Sequence, residues 1–446
     1  MTETNIQPTE PIAPKNRFAF LKKPKYAIAI CLAFTVLALV GGFAYSKFMP
    51  VQETQAYKSK YIAFQEEVFD TIKENYWEDL KDEQLVGLYV LAAQKAMGGA
   101  VIENPPKTRE ELMIYLDARL NEQESDQKRV KLSSNVADLV LANLQPFARS
   151  RLYSLKEQTA LQNNLNNITE TDQYQVLGVT KEATQSEIEQ AYQKKSQEAK
   201  KDTTEAGKQI LERITHAYNT LADQKVRATY DETKVEPTIT GKLLTPEIYY
   251  VKMSKFSPTM VDELIAVTQK VDSGDRLNTL IFDLRDNVGG LIDGLPYILG
   301  PFIGPDQYAY QFFRKGEKKD FKTVTGWMQS LVRYKKVVVL INENTQSSGE
   351  VMAATLKKYN VGLLVGTRTR GWGTVERVYE LKNQIDDSQK FSAFIVNNVT
   401  LREDGQPIEG KGVEPMINIT DPKWETQLMD YYHYTPLVNA IKNLVK

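Results

Sequence analysis

Two short segments of this 446-residue chain carry the residue types that acyl chemistry at a peptide carbonyl requires. Gly289 and Gly290 follow the apolar stretch 279–283, and glycine lets backbone N–H groups approach a reacting carbonyl without interference from a Cβ. Ser347 follows a second apolar stretch, 337–342, just before a segment with helical periodicity. Such a strand-to-helix turn exposes a hydroxyl beside the free amides of the helix N-terminus. Together the segments predict a serine nucleophile with an oxyanion hole.

Each segment alone has a plainer interpretation. The sequence Asp-Asn-x-Gly-Gly is a common turn, and Ser-Ser-Gly is a common beginning of a helix. Either segment by itself would be a weak signal of catalysis. The prediction depends on the two occurring together, each directly behind a buried strand.

The composition argues against several other chemistries. The single cysteine, Cys31, lies in an apolar run, which disfavours disulfide scaffolds, cysteine-based zinc sites and a soluble thiol nucleophile. With His216 and His433 as the two histidines, a histidine-rich metal centre is not expected. Because 56 basic residues nearly balance 57 acidic ones, no broad basic field for nucleic acid is expected either. We therefore expect no metal, no cofactor and no nucleic-acid partner.

The elements that must position these residues lie in an α/β region over 238–422, where short apolar strands alternate with helices. A helix pair is expected to close the chain over 423–446. Residues 51–170 have helical periodicity, and the absence of glycine from 101–165 disfavours tight hairpins there. The sequence thus predicts an all-α domain before the α/β domain.

The N-terminal region has the pattern of a membrane anchor. Residues 26–46 carry no charged side chain and are long enough to span a bilayer, whereas 1–25 read as a disordered tail. A cleaved signal peptide is the alternative, although its apolar region is usually shorter. Lysines and an arginine precede the run, so the positive-inside bias places the N-terminus in the cytoplasm. We expect a single-pass cell-membrane protein with an extracytoplasmic main body.

Residues 172–233 resemble a J (DnaJ-like) domain, a small all-helical fold. The family's His-Pro-Asp loop, which stimulates a heat-shock chaperone, corresponds here to Lys200-Lys201-Asp202. We therefore expect a retained scaffold with no heat-shock chaperone partner, an active co-chaperone being the alternative. The residues that carry the resemblance are Tyr174, Leu177-Gly178-Val179, Ala191-Tyr192, Ala217-Tyr218, Asp223, Lys225, Arg227, Tyr230 and Asp231.

The α/β region resembles the C-terminal processing, or tail-specific, serine protease family, whose core has a ClpP/crotonase-like fold. The PDZ domain typical of that family is absent, and the J-like domain occupies its place. The matching segments, in order, are 249–256, the Asp-Leu-Arg-Asp-Asn-Val-Gly-Gly run at 283–290, the serine turn at 342–350, Val365-Gly366, and Gly-Lys-Gly-Val-Glu-Pro at 410–415.

The resemblance assigns roles to individual positions. Ser347 falls on the nucleophile, and the amides of Gly289 or Gly290 and of Ser348 fall on the oxyanion hole. Trp372 stands where the family has its general-base lysine, and an indole N–H only donates hydrogen bonds. Glu376 stands at the position of the family's helper glutamine.

Three functions follow as hypotheses. The first is a pseudoprotease that binds unfolded or C-terminal protein segments in the cleft by strand addition. The second is an active serine endopeptidase that cleaves near protein C-termini with a base from elsewhere in the chain. The third is scaffolding by the helical and J-like domains.

Overall fold

The structure, a computed structural model, describes residues 59–202, 204–269, 271, 276–402 and 404–445. Helices form its first part, and their ends are set by side chains that cap free amides. Ser59 Oγ accepts from the Ile62 amide, and Thr108 and Glu111 form a reciprocal capping box. The four helices are α1 (Lys60–Asn75), α2 (Asp82–Ala96), α3 (Arg109–Asn121) and α4 (Asp126–Ala142).

A strand interrupts the region that was expected to be all-helical. β1 (Arg151–Ser154) pairs antiparallel with β10 (Phe391–Leu401), far away in the sequence. Leu152 is buried in the core that the first helices share with β10. The strand sequence Arg-Leu-Tyr-Ser does not alternate strictly between polar and apolar residues, so only the long-range pairing defines this strand. Helix α5 (Leu155–Leu165) follows directly.

The J-like segment forms four helices around its own small core. The box formed by Thr184 and Glu187 caps its second helix, and Tyr174, Ile188 and Tyr230 are buried in the centre. The helices are α6 (Gln173–Leu177), α7 (Gln185–Ala199), α8 (Glu205–Leu221) and α9 (Gln224–Thr233).

A mostly parallel six-stranded sheet forms the centre of the α/β region. Its strand order is β11-β8-β7-β4-β3-β2, and only the β2–β3 pair is antiparallel. The central strands are continuous apolar runs because helices cover both faces of the sheet. The strands are β2 (Ile239–Thr245), β3 (Ile248–Met253), β4 (Thr279–Asp283), β7 (Lys336–Ile341), β8 (Leu363–Gly366) and β11 (Ile417–Asn418).

The helices of this region follow the strands they cover. Buried residues of α11 and α13 belong to the core on one face, and those of α14 and α15 to the core on the other. The helices are α10 (Met260–Gln269), α11 (Leu295–Ile303), α12 (Gln329–Val332), α13 (Ser348–Lys358), α14 (Trp424–Tyr432) and α15 (Thr435–Leu444), with a 3₁₀ turn at Ile292–Gly294.

A second, antiparallel sheet is organised around β10. β1 and β5 (Tyr308–Arg314) pair with β10, and β5 also pairs with β6 (Glu317–Lys322). β9 (Thr374–Glu380) pairs with β10 over the length that β1 also contacts, so β9 lies on the opposite side. In the described part of the chain, no strand pairs with the other edge of β9.

The expectation of a transmembrane helix in the fold is corrected. Among the helices that the structure describes, none is long and apolar enough to cross a membrane. The span expected at 26–46 lies outside the described residues. The predicted localisation, a single-pass membrane protein, depended on that helix and is corrected with it.

Candidate active site

The Gly289 and Ser347 segments meet because β4 and β7 are parallel neighbours whose carboxyl ends lie at the same edge of the sheet. Asn287 holds the two segments together. Its Nδ2 donates to Met253 O at 2.9 Å, and its backbone carbonyl accepts from the Gln346 amide at 2.9 Å. Asn287 is fully buried and was not singled out from the sequence, where it reads as an ordinary turn residue.

Gly289 packs directly against Ser347. Its φ is +80°, and a Cβ placed on it would lie 2.6 Å from Ser347 Cβ and 3.2 Å from Ser347 Oγ. Only glycine allows this approach. The Gly289 amide, however, donates to Asn287 Oδ1 at 2.9 Å, which removes it from the pair of expected oxyanion-hole donors.

The amides of Gly290 and Ser348 remain as the pair that could hold an oxyanion. Neither donates in any hydrogen bond among the described residues. The two residues are joined by the Ser348 hydroxyl, which donates to Gly290 O at 3.0 Å. Two free amides beside a serine at a helix N-terminus are the arrangement that stabilises a tetrahedral intermediate.

Ser347 has a strained backbone, with φ +54° and ψ −124°. A non-glycine residue in this region costs on the order of 1–3 kcal/mol and persists only where the surroundings enforce it. The carboxylate of Glu350, one turn into α13, provides part of that enforcement by accepting the Ser347 amide at 2.9 Å.

Glu350 also holds the segment that contains Trp372. Its Oε1 accepts from Thr369 Oγ1 and from the Gly371 amide, both at 2.6 Å, and its Oε2 accepts from the Trp372 amide at 2.7 Å. Burial raises the pKa of Glu350 above its ordinary value, and these hydrogen bonds oppose the rise. In the sequence, Glu350 reads only as the acid of a capping box.

The Trp372 indole is fixed from two sides. Its Nε1 donates to Glu376 Oε1 at 3.2 Å, and the Arg149 guanidinium lies 3.4 Å from the centroid of its ring. Arg149 in turn pairs with Glu409 at 3.1 Å. The position that the resemblance assigns to the general base is thus occupied by a group that has no proton-accepting atom.

In the described hydrogen bonds, the Glu376 carboxylate contacts the Trp372 indole and does not contact Ser347. Its Oε1 also accepts from Thr374 Oγ1 at 2.6 Å. Burial raises the pKa of Glu376, and the hydrogen bonds from Thr374 and Trp372 oppose that rise.

No described lysine or histidine forms a hydrogen bond with Ser347 Oγ. Lys357 donates to Glu414 O at 2.8 Å, and Lys358 lies over the Tyr308 ring at 3.9 Å. Lys255 lines the same cleft as Ser347, although its ammonium donates to Asn164 O at 2.7 Å. The sequence reasoning missed Lys255, because it lies outside the serine and glycine segments.

The cleft has a volume of about 570 Å³. Of the predicted site residues, Gly290, Ser347, Trp372 and Glu376 line it. Residues Thr374 to Tyr379 of β9 form one wall, and Leu161, Asn164 and Leu165 of α5 form part of another.

Models of two protein families match this chain. The model of peptidase family S41 matches residues 247–419, which include the Gly290 and Ser347 segments, Trp372 and Glu376. Residues 247–419 form an S41 peptidase domain. A DnaJ domain model matches residues 172–231. Both resemblances found in the sequence are therefore confirmed.

Sequence relatives of the chain are described as probable CtpA-like serine proteases. A probable CtpA-like serine protease of Staphylococcus epidermidis strain RP62A is 29% identical over 176 residues, covering 39% of this chain and 34% of the relative. A protein of the same description from Staphylococcus aureus strain N315 is 30% identical over 178 residues, covering 40% and 34%. The chain spans about a third of the length of these relatives.

Two solved structures resemble the chain over much of its length. A lipoprotein from Streptococcus agalactiae covers 86% of this chain at 12% identity with a TM-score of 0.44. The photosystem II D1 C-terminal processing protease covers 81% at 14% identity with a TM-score of 0.47.

Proposed function

We propose that the S41 domain of this chain is a pseudoprotease, which binds extended peptide segments in the cleft beside Ser347 without hydrolysing them at an enzymatic rate. Its ligands are unfolded or C-terminal segments of proteins. The observation that carries the proposal is the Trp372 indole, packed against Arg149 and donating to Glu376 at the position of the missing base.

Loss of the base removes most of the acceleration even where the rest of the site is intact. Ser347 keeps a strained turn and two free amides nearby, but an unassisted hydroxyl is a weak nucleophile. In serine enzymes, removing a member of the nucleophile–base pair costs on the order of 10⁴–10⁶ in rate. The remaining geometry is then of use for holding a carbonyl and not for cleaving the bond.

The unpaired edge of β9 supports peptide binding. An extended peptide can add to such an edge through main-chain hydrogen bonds, while neighbouring pockets receive alternate side chains. β9 residues line the cleft, and the same cleft contains Ser347. A peptide added to β9 would therefore pass the serine.

The test uses the full chain and the variant Ser347→Ala. Both proteins are incubated with an unfolded substrate and with a labelled decapeptide, and cleavage is followed by mass spectrometry and binding by fluorescence anisotropy. We expect equal and negligible cleavage by both proteins, with peptide binding retained by both. Cleavage by the wild type that disappears in Ser347→Ala would refute the pseudoprotease and require another base.

The competing function is an active endopeptidase, and one observation favours it. Lys255 lies in the same cleft as Ser347, and burial lowers the pKa of its ammonium, as a lysine base requires. The contacts of the Lys255 ammonium with Asn164 and Asn167 point to a different role.

A further inference from the structure

Two of the cationic side chains in or beside the cleft are paired with carboxylates. Arg377 lies 3.6 Å from Asp293, and Arg149 lies 3.1 Å from Glu409. Lys255 differs, because within the described residues it forms no ion pair, although it is only 9% exposed. An ammonium this deeply buried without a carboxylate in direct contact is costly.

The Lys255 ammonium is held by neutral acceptors. It donates to Asn164 O at 2.7 Å and to Asn167 Oδ1 at 3.4 Å. Asn164 lies in the last turn of α5, and its carbonyl also accepts from the Asn167 amide at 3.0 Å, so Lys255 is a second donor at that helix end. These two contacts leave the third N–H of the ammonium without an acceptor among the described residues.

The carboxylate that most affects Lys255 is already committed elsewhere. Glu236 is buried and is electrostatically coupled to Lys255, but its Oε2 pairs with His216 Nε2 at 2.7 Å. Its Oε1 accepts from Gln173 Nε2. Among the described hydrogen bonds, neither oxygen of Glu236 accepts from the Lys255 ammonium.

We propose that Lys255 is the anchor for a carboxylate of the bound peptide, which makes this cleft selective for peptides that carry a negative charge there. The inference rests on the proposed peptide binding and adds the chemistry that selects the ligand. The carboxylate can be the α-carboxylate of a chain end or the side chain of an acidic residue. In either case it supplies the counter-charge and occupies the third N–H.

The test compares three labelled decapeptides of otherwise identical, uncharged sequence. One ends in a free carboxylate, one in an amide, and one in an amide with a glutamate near the end. Their dissociation constants are measured by anisotropy at low and high salt for the full-length wild type, Lys255→Met and Lys242→Met. Lys242 is an exposed lysine on β2 that does not line the cleft, so its replacement controls for the loss of one positive charge.

We expect wild type and Lys242→Met to bind at least one carboxylate peptide about tenfold or more tightly than the uncharged amide, since a charge-assisted hydrogen bond contributes at least that much. The peptide that gains identifies the source of the carboxylate. Lys255→Met should bind all three peptides alike, at the level of the uncharged amide. If Lys255 only capped α5, its replacement would weaken the binding of all three peptides equally.

Two results would overturn the inference. Equal affinity of wild type for all three peptides would overturn the anchor and leave peptide binding standing, and this comparison needs no variant. A preference that survives in Lys255→Met would exclude Lys255 as its source. If none of the peptides bound to wild type, the proposed function itself would fail, and the anchor with it.

Discussion

The carboxylate of Glu350 joins the Ser347 turn to the Trp372 segment, and its replacement by glutamine should destabilise both. Glu350→Gln keeps the shape of the side chain but turns one acceptor oxygen into an NH₂ group. Each carboxylate oxygen accepts two hydrogen bonds, so the new NH₂ faces two donors in either orientation.

The loss of stability is set by whichever orientation of the new glutamine side-chain amide loses less free energy. If NH₂ replaces Oε1, the Thr369 hydroxyl can rotate and accept, whereas the Gly371 amide is left buried without a partner. One such amide costs about 1–3 kcal/mol, and the remaining hydrogen bonds weaken because their acceptor is no longer charged. Relief of the buried charge offsets part of this loss. We expect a net destabilisation of about 2–5 kcal/mol.

The measurement is a urea transition followed by tryptophan fluorescence, together with hydrogen exchange of peptides covering 343–352 and 367–376. Glu343→Gln is the matched control, since exposed Glu343 accepts from Thr367 Oγ1 at 2.7 Å at the edge of the same turn. Its transition should shift by less than about 0.5 kcal/mol. If the two variants had the same midpoint and the same exchange, the role assigned to Glu350 would be refuted.

Two further predictions concern Gly289 and the J-like domain. Gly289→Ala should destabilise the protein by about 2–4 kcal/mol, because the new alanine Cβ would lie 2.6 Å from Ser347 Cβ. The control is Gly98→Ala, at a φ of +87° but with nothing within 4 Å of the new Cβ. It should cost about 1 kcal/mol in the same urea titration. Equal losses would contradict the close approach. The full chain should leave the ATPase of a heat-shock chaperone at its basal rate, because Lys200-Lys201-Asp202 replaces the His-Pro-Asp loop. Asp202 Oδ1 instead accepts the Thr204 amide at 2.9 Å. A J protein that has His-Pro-Asp is measured beside it as the control. Stimulation that is lost in Asp202→Asn would show an active co-chaperone.

The oxyanion hole shows what sequence motifs can predict about a site and what they cannot. The motif places Gly289 and Gly290 beside the serine turn, but it cannot say which amide is free. The structure commits the Gly289 amide to Asn287, because the Asn287 side chain turns back within its own loop while its Nδ2 reaches the end of β3. Such a choice depends on side-chain contacts between segments, which local patterns do not encode.

Features that depend on residues close together in the chain could be predicted from the sequence. The apolar runs of the central strands, the capping boxes at Thr108 and Thr184, and the serine turn before α13 all follow from local periodicity and turn chemistry. The two family resemblances also rest on ordered motifs that can be read along the chain. The short strand β1, by contrast, carries no such local signal.

The contacts that complete the site join residues far apart in the chain, and these could not be predicted from the sequence. Arg149 reaches Trp372 and Lys255 reaches Asn164 across long stretches of sequence, and neither pair belongs to one motif. Contacts of this kind arise when β10 brings the helical region against the α/β region, so they depend on the packing of whole elements. For that reason the resemblance read from the sequence predicted a missing base at Trp372, whereas the Lys255 ammonium without a direct carboxylate partner became visible only in the folded chain.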